Sequence, residues 1–323
     1  MKKSFFMLGV TAMVLASCTN EEVLNVADSR AISFDNTFVN NSTRTAINGV
    51  DDLTNFYVFA GFDSKVDNVY KNNVVTRGGE KPSYTWTPEY IAYWQDGKAY
   101  TFDAYAANAK IDNAAVGEDG TLTFSNVIID GTNDILVANH EVTANITNVE
   151  AVPFTFRHTL SQVKLTFKTA IENVDFTITG VSFKNVVNTG SYAKGVWTAA
   201  SANQLYSFGD ISGAVTNDAE NGAKSTGSLI ILPQTLSETQ TVTFNLVATG
   251  ALDLKERTLT ATLNGVTLKG GFSYNFVATL TIDNIKNPDP EHPEEFKPIQ
   301  FTVSEVDKWT EASDDLGGFE GQN

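Results

Sequence analysis

The feature that most limits the fold is a two-residue alternation of apolar and polar side chains. It is clearest in residues 163–168 and 241–246, where Val, Leu and Phe alternate with Lys, Thr and Asn. Successive side chains of a β-strand point to opposite faces, so one face of each strand meets a core and the other meets water. Long stripes of apolar residues at helical spacing are missing. We therefore predict an all-β chain built from antiparallel β-sandwiches.

Other segments refine this picture. Several short strand candidates between residues 56 and 139 are separated by Gly, Asn and Asp clusters, which favour turns. The polar stretch 141–150 is the predicted domain boundary. The apolar run 228–232, closed by Pro233, predicts a strand buried on both faces. Asn264-Gly265 predicts a two-residue hairpin between segments 258–263 and 266–269, because a type I′ turn needs positive φ at both central positions.

The N-terminus has the layout of a bacterial lipoprotein signal. Two lysines precede an apolar run that ends in Leu-Ala-Ser and then Cys18, the only cysteine in the chain. The run is too short to span a bilayer and its flanks fit a segment that is removed. We predict a signal peptide over 1–17 and a lipid on Cys18, with an ordinary secretory signal as the alternative. Acidic residues directly behind Cys18 are similar to the surface-export signal of Bacteroidales lipoproteins; the alternative is a solvated linker.

A first strand is predicted directly behind this tether. Ile32, Phe34 and Phe38 are separated by polar residues, in the pattern of a half-buried strand. A polar loop rich in Asn, Ser and Thr follows and carries Arg44. We therefore predict that residues 18–45 form a lipid tether followed by a strand, which a turn-rich loop joins to the body.

Charge and composition argue against several functions. The net charge of −16 makes nucleic acid a poor partner. The same charge is repelled by anionic lipid headgroups, so the lipid would have to supply membrane attachment. A lone cysteine and scattered histidines give no metal-ligand spacing, and no nucleophile motif or phosphate-binding loop is present. Asp51-Asp52 and Asp314-Asp315 are expected to be solvated surface. We predict no enzyme activity, no catalytic residue, no metal and no cofactor.

The four tryptophans, Trp86, Trp94, Trp197 and Trp309, allow two interpretations. Exposed indole rings would be platforms on which sugars stack, as in a surface glycan-binding lipoprotein that works beside an outer-membrane polysaccharide importer. Packing in the core or at a strand edge is the more economical interpretation.

Four stretches, in this order behind the lipoprotein signal, carry a resemblance to a family. They are residues 94–105, 134–138, 152–161 and 272–285, the last followed by 301–309. Their order resembles that of the fimbrillin-like proteins of the Bacteroidales, which are pilus subunits made as lipoprotein precursors. The resemblance implies two transthyretin-like β-sandwich domains in tandem, which we place at 46–150 and 151–310, before an acidic tail at 311–323.

The resemblance also implies a route of assembly. In the family an arginine-specific protease cuts the loop behind the first strand, and the strand leaves a groove that another subunit fills. Here this implies cleavage at Arg44, with Arg30 second, and a removable plug strand formed by Ile32, Phe34 and Phe38. The implied partners are other pilus subunits, a trypsin-like or arginine-specific protease, and the outer membrane through the lipid on Cys18. Segment 301–309 is either the last strand of the second domain or the donor strand, and a tip or anchor role in adhesion stays open.

Overall fold

The protein is almost entirely β-structure, as the alternation predicts. The computed structural model describes residues 30–39, 51–81, 83–200, 203–263, 265–285 and 299–308. The strands, in chain order, are β1 (Phe34–Val39), β2 (Asn55–Phe62), β3 (Tyr70–Glu80), β4 (Ser83–Pro88), β5 (Ala99–Ala106), β6 (Ala114–Val116), β7 (Leu122–Ile128), β8 (Leu136–Thr143), β9 (Val152–His158), β10 (Ser161–Thr169), β11 (Val174–Val187), β12 (Thr189–Ala193), β13 (Val196–Ala199), β14 (Asn203–Gly209), β15 (Lys224–Ser225), β16 (Leu229–Ile231), β17 (Thr241–Gly250), β18 (Leu254–Thr262), β19 (Phe272–Leu280) and β20 (Ile299–Lys308).

A single short helix, α1 (Ile282–Ile285), precedes β20 in these residues. Within the described ranges no helix has the length and hydrophobicity needed to cross a membrane. The all-β prediction is therefore confirmed, while the tandem arrangement of two transthyretin-like domains stays a prediction.

The N-terminal strands close into a barrel in the order β1-β4-β3-β2-β5-β8-β9. Neighbours in the barrel are antiparallel except at the seam between β1 and β9, where the strands run parallel. The barrel interior is filled by aromatic and aliphatic side chains, among them Phe56, Phe102 and Phe154. Because β1 lies between β4 and β9, the barrel is closed only while this strand is in place.

The C-terminal strands form one nine-stranded sheet whose two halves face each other as in a β-sandwich, and we call this part the sandwich. One half contains β14, β11, β17 and β18, the other contains β19, β10, β15 and β16, and β20 pairs with both β18 and β19. The two halves pack through side chains such as Phe167 on β10 and Phe244 on β17, whose ring centroids are 4.9 Å apart. This interior is a second hydrophobic core, separate from that of the barrel.

A third sheet joins the barrel to the sandwich. Its order is β13-β12-β7-β6, so that a hairpin from the C-terminal half pairs with a hairpin from the N-terminal half. A third core lies beneath it, where Phe124 packs on Tyr192 with ring centroids 5.2 Å apart and Tyr105 packs on Phe124. Strand pairing therefore crosses the predicted domain boundary near residue 150 twice. β12, from the C-terminal half, pairs with β7, and β9, which follows residue 150, completes the N-terminal barrel.

Two local predictions had different outcomes. The run 228–232 is predicted to be buried on both faces, and this is confirmed for residues 229–232, whereas Ser228 is exposed. Leu229 and Ile231 lie in the sandwich core, and Ile230 and Leu232 lie in the third core. The hairpin predicted around Asn264-Gly265 is wrong, because segment 266–268 pairs with 234–236. At its end β18 has no free edge, since residues 261 and 262 pair with both β17 and β20.

Candidate functional site

The first strand occupies the seam of the barrel. On one side Phe34 pairs with Trp86 of β4, and on the other β1 runs parallel to β9, with Phe34 opposite Val152 and Phe38 opposite Thr155. The register shifts between Asp35 and Phe38. A shift of this kind marks an extra residue in one strand and strengthens the local twist.

Backbone hydrogen bonds attach the segment before β1 to both neighbours. The amide of Ile32 donates to the carbonyl of Ala92 at 2.8 Å, and the amide of Trp94 donates to the carbonyl of Arg30 at 2.9 Å. On the other side the amide of Val152 donates to the carbonyl of Ser33 at 2.8 Å. The strand is thus held at both edges by main-chain contacts, which do not depend on the side chains of the strand.

Two side chains of this segment fill the barrel core. Ile32 is 2% exposed and Phe34 is 3% exposed, whereas Ser33 and Asp35 face solvent. This is the two-residue alternation of the sequence. Phe38 lies in the same strand, opposite Thr155.

Phe34 is surrounded by aromatic rings. Its ring centroid lies 5.6 Å from that of Phe56, 5.8 Å from Tyr70, 6.4 Å from Phe102 and 5.9 Å from Phe154. The contacts are edge-to-face, tilted or stacked, geometries that stabilise aromatic pairs beyond the burial of their area. A side chain with four such neighbours would leave a large aromatic-lined vacancy on departure.

The surroundings of Phe34 are electrically neutral. Burial raises the pKa of Tyr70 to about 12, so its hydroxyl stays protonated at physiological pH. Neutral aromatic side chains at this position favour an apolar side chain such as that of Phe34. A charged or hydrated segment would meet no compensating partner at this position.

Two predicted site residues lie outside the described residues. These are Cys18, the predicted lipid site, and Arg44, the predicted cleavage position. Arg30, the second candidate for cleavage, is half-buried, and its carbonyl accepts a hydrogen bond from Trp94. A peptide bond in a segment that is paired in this way is a poorer protease substrate than one in an exposed loop, because a protease must draw the chain into its own cleft.

The other candidate residues that the structure describes are buried or are held by neighbouring side chains. Trp86, Trp94 and Trp197 are each no more than 7% exposed, so none of them offers an open ring face; Trp309 lies outside the described residues. Asp51 is held by Lys81 and by the hydroxyl of Tyr84, and these partners lower the pKa of its carboxyl group. Asp314-Asp315 lies outside the described residues. The described ranges contain no cluster of three or more His, Cys, Asp or Glu side chains arranged to hold a metal.

Sequence reasoning missed the segment that pairs with the residues before β1. Residues 92–94 follow β4 and bond to residues 30–32, next to the pairing of β1 with β4. It also missed a fully buried pair, in which the imidazole Nδ1 of His158 contacts the carboxylate of Asp134. Neither feature has a local sequence signature, because each depends on contacts between distant segments.

Comparison with known proteins agrees with this architecture. The structure is similar to a candidate cell adhesion protein from Bacteroides uniformis, with TM-score 0.52 and 14% identity over 87% of this chain and 98% of that chain. It is also similar to a fimbrial protein from Bacteroides vulgatus, with TM-score 0.53 and 18% identity over 87% of this chain and 100% of that one. At these identities the likeness shows a shared fold.

Among curated proteins no relative matches the chain. The profile of one protein family matches it, over residues 43–291, which is most of its length. That profile describes fimbrillin-like proteins, and the chain belongs to the fimbrillin-like family.

Proposed function

We propose that the protein is a cell-surface pilus subunit that is made as a lipoprotein and assembles by strand exchange. In this proposal Cys18 carries the lipid that holds the precursor on the outer membrane. A trypsin-like or arginine-specific protease cuts after Arg44, and β1 then leaves the barrel. A strand from another subunit takes its place, and the assembled protein acts in adhesion without enzyme activity.

The position of β1 in the barrel carries this proposal. In the described strand pairs, residues 152–156 of β9 pair with β1 alone, because β8 pairs with β9 only at residues 157 and 158. Departure of β1 would therefore expose an unpaired strand edge on β9 and another near Trp86 on β4. Such edges bind an added strand through main-chain hydrogen bonds.

The energy of the seated strand explains the need for a protease. Burial of Ile32 and Phe34 stabilises the closed barrel by about 1.5–3 kcal/mol each, before backbone hydrogen bonds are counted. While β1 remains joined to the body by the following loop, a strand that dissociates rebinds at a high effective concentration. Cutting the loop removes this advantage and lets a second subunit compete for the groove.

One segment of the chain has side chains suited to that groove. In β20, Ile299 and Phe301 have the same two-residue spacing as Ile32 and Phe34. In the structure β20 lies between β18 and β19, so it serves as a strand of the sandwich. We propose that a donor strand from another subunit presents this same pair of side chains, whether β20 or a segment of a different subunit supplies them.

The test is assembly after controlled cleavage. Purified protein treated with trypsin should form multimers that resist SDS and appear as filaments in the electron microscope. Arg44→Ala should abolish them, and Arg30→Ala, the matched control, should not. Multimers formed equally by the Arg44→Ala variant would contradict the proposed trigger. If cleaved protein stayed monomeric and carried no filaments even with added partner subunits, strand exchange would be excluded for this chain.

A further inference from the structure

Three large apolar side chains are exposed within one short segment of the barrel. In the loop between β4 and β5, Tyr90 is 58% exposed, Ile91 55% and Tyr93 47%. The other exposed large apolar side chains of the described residues lie at least three positions from one another. Exposed apolar residues that are scattered singly are normal, whereas a cluster indicates an interaction site. We call these three residues the apolar patch.

The apolar patch lies where the chain enters the barrel. Tyr93 pairs with Ala31 in an isolated bridge, and the amide of Trp94 donates to the carbonyl of Arg30 at 2.9 Å. Arg30 is the first residue that the structure describes, and the predicted tether that begins at Cys18 leads directly into it. The patch therefore lies beside the point at which the tether joins the folded body.

Strand directions place this entry at the end of the barrel away from the sandwich. β9 begins at Val152, opposite Phe34, and ends at His158, from which the chain continues into β10 of the sandwich. Because β1 runs parallel to β9, the start of β1 lies at the end that is remote from the sandwich. We call this the outer end of the barrel, and both the tether and the apolar patch lie there.

The charges at the outer end are largely compensated. The turn after β2 and the start of β5 lie at this end. There Asp63 and Lys98 form an ion pair at 2.7 Å, and Asp67 and Lys71 form one at 2.8 Å. Glu89, next to the patch, accepts hydrogen bonds from residues of β3. The outer end is therefore less repelled by phosphate headgroups than the net charge of −16 suggests.

The side chains of the patch suit the interface of a lipid bilayer. A tyrosine ring buries its apolar body among lipid chains while its hydroxyl stays at the level of the headgroups, and tyrosine is enriched at this depth in membrane proteins. Tyr90 is supported from below, because its ring packs on that of Tyr70 with centroids 6.3 Å apart, and Tyr70 lies in the barrel core. The patch thus presents a firm apolar surface with polar tips.

A lipid on Cys18 would keep this surface close to a bilayer. Eleven residues, 19–29, lie between Cys18 and Arg30, and an extended chain of this length spans at most about 40 Å. Within that distance the bilayer is present at a high effective concentration. Three side chains are then enough to orient a body that they could not hold on a membrane alone.

We propose that the apolar patch contacts the bilayer interface in the lipid-anchored precursor, so that the outer end of the barrel faces the membrane. The proposal rests on the lipid on Cys18 that the proposed function includes. It adds an orientation to that function, because the loop that carries Arg44 begins at the opposite end of β1, away from the bilayer. Cleavage there removes the tether with its lipid, and the patch alone should not retain the subunit.

The test measures the surroundings of one residue beside the patch. Gln95 is exposed and lies two positions after Tyr93. Because Cys18 is the only cysteine and its sulfur would carry the lipid, Gln95→Cys provides a single thiol for a nitrobenzoxadiazole label. Uncleaved protein from producing cells is added to preformed phosphatidylcholine vesicles at no more than one chain per vesicle. The emission of the label at residue 95 should shift to the blue, and aqueous iodide should quench it less than the same label in Val196→Cys, at an exposed site on the third sheet.

Variants separate the patch from the lipid. The patch is removed by a combined variant, Tyr90→Ser, Ile91→Ser and Tyr93→Ser. Three side chains of this size, partly inserted, favour contact by about a hundredfold, so their loss should restore the iodide quenching at residue 95 to the level at residue 196. The matched control, Ile128→Ser with Leu205→Ser, removes exposed apolar side chains elsewhere and should leave residue 95 protected. All five substituted sites are exposed, so the fold should be retained.

The outcomes distinguish this proposal from the proposed function. If the protein does not float with the vesicles, or if Gln95→Cys takes up two labels, Cys18 carries no lipid, and both the lipoprotein precursor and the membrane contact are refuted. Protein that floats with the vesicles while residue 95 stays as open to iodide as residue 196 overturns the membrane contact alone. Protection of residue 95 that appears only when many chains share a vesicle would assign the patch to a second copy of the chain, and would also overturn the proposal.

Discussion

Replacing Phe34 by alanine tests how firmly the first strand is held. The side chain is 3% exposed and has four aromatic neighbours within 6.4 Å between ring centroids. A Phe→Ala change at such a site costs about 3–5 kcal/mol, from lost transfer energy and the cavity left behind. If β1 opens without the rest of the barrel, the population of the open form should rise about a hundred- to a few thousandfold.

Hydrogen exchange of single amides measures this population. The amides of Ile32, Trp94 and Val152 report on the seam, because each is bonded across it in the closed state. Their exchange should accelerate by that factor in Phe34→Ala, and the amide of Thr226 in the sandwich, bonded to the carbonyl of Leu165, should be unaffected. Phe176→Ala, in the sandwich core, is the matched control and should produce the reverse pattern.

Two results would refute this reasoning. Unchanged exchange at Val152 in Phe34→Ala would mean that the aromatic cluster does not hold the strand. Equal acceleration of seam amides and of amides throughout β2 and β5 would mean that β1 opens only when the whole barrel unfolds. In the second case a strand released by proteolysis would leave no folded groove for a partner.

Further predictions concern the rest of the molecule. Desolvation, with a smaller contribution from Glu141 and an opposing one from Arg157, raises the pKa of Asp103 from 3.8 to about 6. The native state therefore binds the carboxyl proton of Asp103 more tightly than the unfolded state does. As a result, the free energy of unfolding falls as pH rises from about 4 to 6. Asp103→Asn should flatten this dependence in urea unfolding and raise stability at pH 7 by up to about 3 kcal/mol, and an unchanged pH profile would contradict the assignment. Trp197 packs on Tyr192 and Phe124 with ring centroids 5.3 and 6.1 Å apart. Trp197→Ala should therefore lower the free energy of unfolding by about 3–5 kcal/mol. Its neighbour Val196 is 64% exposed, so Val196→Ala should change that free energy by no more than about 0.5 kcal/mol. Similar melting temperatures for the two variants would show that the packing of Trp197 beneath the third sheet does not stabilise the fold.

Local patterns in the sequence predicted local structure. The alternation around Ile32 and Phe34 matches their burial, and residues 229–232 are buried on both faces because β16 lies between two cores. In both cases the signal is the apolar character of the residues themselves, which decides whether a side chain faces a core or water. Such patterns need no knowledge of the partner strand.

Pairing between distant strands could not be predicted in this way. The parallel contact of β1 with β9 joins residues more than a hundred positions apart, and nothing in either segment specifies the other. The same holds for β7 and β12, which connect the two halves of the chain. At Asn264-Gly265 a strong turn signal predicted a hairpin that does not form, because β17 and β20 already occupy both edges of β18 there.

The central claim is that β1 is exchanged for a strand of another subunit after cleavage at Arg44. Mass spectrometry of the N-terminus in SDS-resistant multimers taken from the cell surface tests it most directly. If the proposal is right, the subunits begin at Thr45 and lack residues 18–44. Multimers whose subunits still begin at a lipidated Cys18, with β1 attached, would contradict it.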